Sequence, residues 1–252
     1  MSKISVIIPT YNFFDTFKKT FLSVMNQTLT PNEIIIVDSS NNNIIENFIN
    51  SNNFKIKIIY KRVAKAYPGK ARNIGAELAS NNLLAFLDSK TYCDNNWLEK
   101  TYSCFNNNNL DVCFGSTKYI SKSYFQKLYQ YSTFGEKVIE TTTGSLIKKS
   151  IFFENKFISN VRTADDIEWR ERIKKKFKSF SFKKNYLYYD SIENSLYSMM
   201  KRYFLYSFHT AFVNTQVFQK DLYLSFFIIF ISIIVTKWNY WLANWSINSI
   251  FY

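Results

Sequence analysis

Short apolar runs alternate with amphipathic stretches through the N-terminal part of the chain. Four of these runs have the length and β-branched content of strands buried on both faces of a sheet, and they cover residues 4–9, 33–37, 56–60 and 83–87. Between the runs, apolar side chains recur at helical spacing, as they do from Phe14 to Val24. The alternation predicts an α/β fold with a doubly wound, mostly parallel, Rossmann-like sheet and helices on both faces.

Polar residues stand at the ends of three of the four predicted strands. They are Pro9, Thr10 and Tyr11 at the first strand, Asp38 and Ser39 at the second, and Asp88, Ser89 and Lys90 at the fourth. Because open α/β sheets bind ligands just beyond the carboxyl ends of their strands, we expect these side chains to share one site. A carboxylate such as Asp88 at that edge can hold a divalent cation or a ribose hydroxyl, and it can equally begin a turn.

Two cations, Lys70 and Arg72, mark the start of the helix predicted from Pro68 to Ala79. The free N–H groups and the dipole of a helix N-terminus already favour an anion at that position. Either cation alone is more often an ordinary solvated helix charge. With aspartates at two neighbouring strand ends, the pair predicts a clamp for a diphosphate.

A second acidic centre lies in the segment RTADDIEWRER, residues 162–172. The helical spacing of Trp169 and Ile173 places Asp165 and Asp166 at the N-terminus of a helix. Acidic residues there commonly cap helices. Adjacent carboxylates also raise each other's pKa, which suits a general base.

The charge balance limits the classes of partner. The chain has 32 Lys and Arg against 19 Asp and Glu, and the resulting charge of +13 predicts an anionic partner such as a nucleotide, an acidic membrane surface or a nucleic acid. No nucleic-acid-binding motif is recognisable, so we expect no nucleic acid partner. Three cysteines without a CxxC pair and a single histidine argue against a zinc site and favour the cytosol.

The C-terminal part is the most apolar and aromatic. The run LYLSFFIIFISIIV, residues 222–235, is short for a bilayer span, but Trp238 and Trp241 behind it are typical of an interfacial belt. A lysine-rich stretch at 174–184 suits anionic lipid headgroups or an ordinary solvated surface. We predict an apolar helical tail over residues 193–252 that is peripheral to the membrane or embeds one segment; the alternative for its apolar run is a buried core helix.

Four segments resemble the successive signatures of family 2 glycosyltransferases with the GT-A fold, in the family's order and spacing. They are SVIIPTYN (5–12), IIIVDSS (34–40), PGKARNIGAELAS (68–80) and LLAFLDS (83–89). The resemblance implies transfer of a sugar from a nucleotide-sugar donor with inversion. The nucleotide-sugar site that it implies consists of Pro9, Thr10, Tyr11, Asp38, Ser39, Lys70, Arg72, Asn73, Asp88, Ser89 and Lys90.

The same resemblance bears on a metal and on the catalytic residues. Asp88 would be the first carboxylate of the DXD metal-binding motif, but Lys90 stands where the motif has its second acid. Either Asp88 and the donor hold Mn²⁺ or Mg²⁺ unaided, or Lys90 replaces the ion. The 162–172 segment resembles the family's ED motif, with Asp165 in the Glu place and Asp166 in the Asp place, which implies that Asp166 is the general base. For Asp165, beside the base, we favour the capping role, in which it caps the helix and orients Asp166.

These inferences predict a GT-A domain over residues 1–192, with a nucleotide-binding half (1–105) and an acceptor half (106–192), followed by the membrane-associated tail. The expected function is transfer of a sugar to a hydroxyl of a glycan or lipid-linked acceptor at the cytoplasmic face of the membrane, in cell-surface polysaccharide synthesis. The alternative, favoured by Lys90, is a catalytically weak relative that binds sugar nucleotides or scaffolds a glycan-assembly complex.

Overall fold

The computed structural model describes residues 3–133, 135–213, 215 and 224–231. The chain divides into a first compact unit that ends at Val213 and a second that comprises residues 214–252. In the second unit, residues 224–231 are helical and expose apolar side chains, whereas the predicted aromatic belt at Trp238 and Trp241 lies outside the described residues. No helix in the described ranges is long and apolar enough to cross a membrane. The apolar run predicted over 222–235 lies partly outside the described residues.

The strands of the first unit are β1 (Ile4–Thr10), β2 (Glu33–Asp38), β3 (Lys57–Arg62), β4 (Leu83–Phe86), β5 (Thr91–Tyr92), β6 (Val112–Tyr119), β7 (Ile139–Lys148), β8 (Ser179–Ser181) and β9 (Leu187–Tyr189). Its helices are α1 (Phe14–Met25), α2 (Ile44–Asn50), α3 (Pro68–Leu78), α4 (Trp97–Asn107), α5 (Tyr124–Thr133), α6 (Lys149–Glu154), α7 (Asp165–Lys174) and α8 (Leu196–Ala211). The unit therefore includes α8, which the sequence placed in the tail.

The parallel half of the sheet is the one that the apolar runs predicted. Strands β3, β2, β1 and β4 lie side by side in that order and are parallel. Alternate residues of β1 pack on opposite faces, since Ile8 belongs to the core that contains α1 and Ile7 to the core that contains α3. Thr10 pairs with Asp38, and Asp38 with Arg62, so the polar ends of these strands are level with one another.

The other half of the sheet is mixed, which corrects the expectation of a mostly parallel sheet throughout. β7 is antiparallel to both β4 and β6, β6 then pairs in parallel with β8 and β9, and β9 is antiparallel to β5. The ladder between β6 and β7 is interrupted by a register shift beside Gly115. A Cβ atom on Gly115 would lie 1.8 Å from the Thr143 carbonyl oxygen, and Gly144 has φ +85°, so both positions need glycine.

Candidate active site

The ends of β1 and β2 form a pre-ordered edge around Asp38. This carboxylate is fully buried; its Oδ1 accepts the Ser40 N–H at 2.8 Å and its Oδ2 accepts the Tyr60 hydroxyl at 2.8 Å. Burial, and next the hydrogen bond to Asp38, raises the pKa of Tyr60, so its hydroxyl stays protonated and donates. Tyr60 was not anticipated from the sequence. Its only signal was its place in the third apolar run, near the end of β3.

The other predicted residues of this edge differ in exposure. Pro9 is half-buried and pairs with Val37, while Ser39 is buried and donates its N–H to the Thr10 carbonyl at 3.1 Å. The Thr10 hydroxyl is buried without a hydrogen-bond partner among the described residues. Tyr11, the residue after Thr10, is exposed. The edge thus combines an ordered polar floor with an aromatic ring that is free to stack on a base.

Arg72 is the centre of the site. Its guanidinium is buried, with Nη2 2.5 Å from Asp88 Oδ1 and Nη1 2.9 Å from Asp165 Oδ2. It also lies over the ring of Phe157, 5.2 Å from the centroid. One buried cation therefore joins an acid at the end of β4 to an acid at the start of α7.

This geometry corrects the predicted diphosphate clamp of Lys70 and Arg72. Lys70 is exposed, whereas Arg72 is buried between two carboxylates. Residues two apart on a helix point to different sides of it. The two side chains are therefore not a pair of free cations facing one anion.

Three carboxylates interact electrostatically with this single guanidinium. Burial acts to lower the pKa of Arg72, but the charges of Asp88, Asp165 and Asp166 raise it. Burial raises the pKa of Asp165, which Arg72 opposes and the two other acids reinforce. The pKa of Asp165 therefore lies above its ordinary value, because this carboxyl is buried and one cation cannot balance three neighbouring carboxylates.

The predicted capping role of Asp165 is wrong. The N-cap of α7 is Ala164, which has a left-handed φ of 67° and makes no side-chain cap hydrogen bond. Asp165 is the first helical residue, and its carboxylate turns inward to Arg72 instead. The Asp165 carboxylate balances the buried charge of Arg72.

Asp166 is the more accessible acid of the pair. Its side chain is 37% exposed, against 4% for Asp165. Arg170 Nη1 lies 3.9 Å from Oδ2, and the described residues place no closer hydrogen-bond donor on this carboxylate. The Thr142 hydroxyl donates to the Asp166 backbone carbonyl at 3.2 Å and fixes its position. Asp166 is therefore positioned and able to accept a proton from an outside group.

The turn after β4 presents Asp88 at the same place. The Asp88 N–H donates to the Thr143 hydroxyl at 2.9 Å, and the Thr91 N–H and hydroxyl donate to the Asp88 carbonyl at 3.0 and 2.9 Å. Ser89 is buried within this turn. The Asp88 carboxylate is partly exposed, but one of its oxygens is held by Arg72.

Lys90 places a positive charge beside this turn. Its Nζ lies 3.7 Å from the centroid of the exposed Phe13 ring, and no carboxylate of the described residues is within 4.0 Å of it. Burial lowers the pKa of Lys90, as do the charges of Arg202 and Arg162, whereas Glu193 and Asp88 oppose the shift. The ammonium thus lies between the β1 loop and the end of β4.

The donor set fits a divalent cation poorly. In the described parts of the chain, no three His, Cys, Asp or Glu residues are grouped so that they could hold a metal. Asp88 supplies one carboxylate, which Arg72 already engages, and Lys90 adds a cation. Hard divalent ions need several oxygen ligands.

Asn73 and Gly69 attach the acceptor-side loop to α3. The Asn73 amide donates to the Phe157 carbonyl at 2.9 Å and accepts the Phe157 N–H at 3.0 Å. A Cβ atom on Gly69 would lie 2.3 Å from the Ile158 carbonyl oxygen. Asn73, expected near the base and diphosphate, instead uses its amide to hold the loop that leads to α7.

The sequence matches the family model described as Glycosyl transferase family 2 over residues 5–200. The Poly(ribitol-phosphate) beta-glucosyltransferase of Bacillus spizizenii is 29% identical over 201 residues, 74% of this chain and 32% of the relative. The Poly(ribitol-phosphate) beta-N-acetylglucosaminyltransferase TarP of Staphylococcus aureus is 28% identical over 204 residues, 75% and 62% respectively. The chain spans between about a third and three fifths of the length of these relatives.

Two further similarities are shorter or more distant. The UDP-Glc:alpha-D-GlcNAc-diphosphoundecaprenol beta-1,3-glucosyltransferase WfgD of Escherichia coli is 31% identical over 121 residues, 48% of this chain and 47% of the relative. The crystal structure of S. aureus TarS 1–349 in complex with UDP-GlcNAc aligns with a TM-score of 0.59 at 18% identity, over 78% of this chain and 60% of TarS 1–349. This last similarity supports the GT-A fold expected from the sequence.

Proposed function

The chain belongs to glycosyl transferase family 2, and from this premise we propose that it transfers a sugar from a nucleotide-sugar donor to an acceptor hydroxyl with inversion. The observation that carries the proposal is the Arg72 ion-pair network. It brings the donor-side Asp88 and the acceptor-side Asp165 to one guanidinium, with the accessible Asp166 next to them. A transfer reaction needs this proximity, because the acceptor oxygen must reach the carbon that the diphosphate leaves.

The donor is proposed to lie across the ends of β1, β2 and β4. Asp38 and Thr10 form the polar floor for the nucleoside, and Tyr11 stacks on its base. TarS has been crystallised with UDP and with UDP-GlcNAc, which favours uridine diphosphate as the nucleotide part of the donor.

Asp166 is proposed as the catalytic base. It takes the proton from the acceptor hydroxyl while that oxygen forms a bond to the anomeric carbon of the sugar. The bond from this carbon to the nucleoside diphosphate breaks on the opposite face, and the diphosphate leaves with the electron pair. Arg72 and Asp165 keep the base in place through their buried ion pair.

Lys90 is proposed to balance the charge of the leaving diphosphate. The donor set around Asp88 is poor for Mn²⁺ or Mg²⁺, so we assign no step to a metal. An ammonium held beside the end of β4 can stabilise the developing negative charge by itself.

The acceptor is proposed to be a glycan or lipid-linked glycan of the cell surface. The names of three relatives specify poly(ribitol-phosphate) or a diphosphoundecaprenol-linked sugar as what they act on. We propose that the reaction takes place at the cytoplasmic face of the membrane, with the protein attached peripherally. A sugar-nucleotide-binding protein without turnover is the second candidate, since Lys90 replaces the second DXD acid.

A binding and turnover comparison tests the proposal. Melting temperatures are measured for the native chain and Asp166→Asn with UDP, UDP-glucose, UDP-GlcNAc and GDP, because a ligand of the folded state raises this temperature. UDP release is measured with membrane-derived or polyol-phosphate acceptors. We expect UDP and UDP-sugars to stabilise both proteins and only the native chain to release UDP. Binding without turnover in the native chain would favour the second candidate, and absence of nucleotide binding would refute both.

A further inference from the structure

Among the described residues, helix α8 carries an apolar stripe that stays exposed. Four side chains of α8 and that of its C-cap residue are spaced by three or four residues on one side of the helix, and we call them the outer stripe: Tyr197, Met200, Phe204, Phe208 and Phe212. Each is between 57% and 80% exposed, and no residue of α8 is buried. Apolar side chains that recur on one helix face and stay exposed mark a surface that contacts something else.

The other side of α8 already holds the helix on the first unit. Arg202 Nη1 lies 2.5 Å from Glu193 Oε2, and the Tyr129 hydroxyl donates to the Tyr203 hydroxyl at 3.2 Å. The Thr163 hydroxyl donates to the Tyr206 carbonyl at 3.2 Å. Within the described residues, these contacts attach α8 through the side opposite the outer stripe, so the exposure of the stripe needs a separate explanation.

The charges around the stripe select an anionic surface. The segment from Leu196 to Phe212 contains Lys201 and Arg202 and no acidic residue. Helix α5, which α8 contacts through Tyr129, also lacks acids and exposes Lys127 beside Leu128. Lys201 lies on the same face of α8 as the outer stripe, and Arg202 is paired with Glu193. A mostly aromatic helix face that carries an exposed lysine is typical of helices that lie in the membrane interface.

The dimensions of α8 agree with an in-plane position. Its 16 residues correspond to about 24 Å at roughly 1.5 Å per residue. A span needs about 20 mostly apolar residues, and α8 is interrupted by charge and by polar contacts on its inner side. The helix is suited to lie along a bilayer surface with one face immersed.

We propose that α8 docks the protein on an anionic lipid surface, with the outer stripe among the acyl chains and Lys201 at the headgroups. This deepens the peripheral attachment proposed above and identifies the surface responsible. The inner side of α8 contacts Thr163, in the loop that leads directly to Asp165 and Asp166. Docking through α8 therefore brings the acceptor side of the site next to the lipid surface.

Vesicle sedimentation of the full chain tests the proposal. Vesicles of phosphatidylcholine with about 30% phosphatidylglycerol are compared with phosphatidylcholine alone. We expect the native chain to prefer the anionic vesicles, and the double variant Phe204→Ser, Phe208→Ser to bind them at least about tenfold more weakly. The matched control is Phe180→Ser, at an exposed phenylalanine on β8, which should bind like the native chain.

Three outcomes would overturn the proposal. The double variant binds as the native chain does; the control loses binding equally; or the native chain forms a dimer without vesicles that the double variant does not, which would make the stripe a contact between copies. Melting temperatures of the variants check that each is folded. The assay contains no nucleotide or acceptor, so its failure leaves the proposed transfer reaction untouched, and loss of transfer leaves this result standing.

Discussion

The predicted nucleotide-binding or donor half (residues 1–105) and the predicted acceptor half (residues 106–192) hold their polar side chains differently. In the donor half, the ends of adjacent parallel strands bind one another, as Asp38 does with Tyr60 and Ser39 with Thr10. In the acceptor half, the acids depend on the donor half for their position, since Asp165 pairs with Arg72 across 93 residues of sequence. The first arrangement needs only neighbouring parallel strands, whereas the second forms only when the two halves pack against each other.

Helix α3 is the link between the halves. Its Arg72 binds Asp165, its Asn73 holds Phe157, and its Gly69 lets the Ile158 carbonyl approach. Helix α7, which carries the proposed base, is thus positioned by residues that the family resemblance assigned to the nucleotide. The proposed donor and acceptor sides therefore share one structural support, and substitutions on either side test this.

The largest effect is expected at Asp166. Asp166→Asn keeps the shape of the side chain but cannot accept the proton, so kcat should fall by roughly 10²–10⁴-fold while donor affinity stays unchanged. Steady-state kinetics and UDP binding measure the two. The paired variant Asp165→Asn should lose stability as well as turnover, because it removes one of the two carboxylates that pair with Arg72. A native rate in Asp166→Asn would refute the assignment of the base.

The second-largest effect is expected at Arg72, which links the two halves. Arg72→Ala leaves Asp165 buried without its cation, which should lower the free energy of unfolding by about 3–5 kcal/mol. Lys70→Ala, on the same helix but exposed, is the control and should change it by less than about 0.5 kcal/mol. Urea denaturation of both variants gives the comparison. Equal losses would mean that Arg72 does not hold the two halves together.

A smaller effect is expected at Lys90 on the donor side. Lys90→Ala should lower kcat on the order of 10²-fold, because the leaving diphosphate loses a stabilising charge. EDTA should reduce the turnover of the native chain by less than about twofold if the ammonium acts in place of a metal. Activity that EDTA abolishes and Mn²⁺ restores would show that a metal is required after all.

The smallest effect is expected at Glu33, which is buried at the start of β2. Burial acts to raise the pKa of Glu33, but hydrogen bonds from Ser5 and Ser80 outweigh it and hold this pKa below its ordinary value of 4.5. The carboxylate therefore stabilises the fold above about pH 4.5, and this contribution is lost as the pH falls through the lower, folded-state pKa.

Glu33→Gln should accordingly lower the free energy of unfolding at pH 7 by about 1–2 kcal/mol and flatten its decline in acid. Glu46→Gln, which removes a half-exposed pair with Arg62, is the control and should cost less than about 1 kcal/mol. Denaturation curves between pH 3 and 7 measure both. An acid decline that is as steep in Glu33→Gln as in the native chain would contradict the role of Glu33.

The parallel half of the sheet, and the edge at which the candidate site lies, could be predicted from the amino-acid sequence alone. The apolar runs, the helical spacing between them and the polar residues at their ends are all local patterns, and local patterns dictate strands, helices and the edge where strands finish. These patterns therefore predicted that Asp38 and Asp88 stand at that edge. The family signatures are also local, which is why they were visible in the same segments.

The ion pairs that each acidic residue makes depend on the tertiary structure. Lys70 and Arg72 look alike in the sequence, yet one is exposed and the other is buried between Asp88 and Asp165. The mixed half of the sheet, the role of Asn73 and the outer stripe of α8 likewise depend on contacts between distant segments. Such contacts are set by packing, because burial decides which charges must be paired and which face of a helix remains open to a partner.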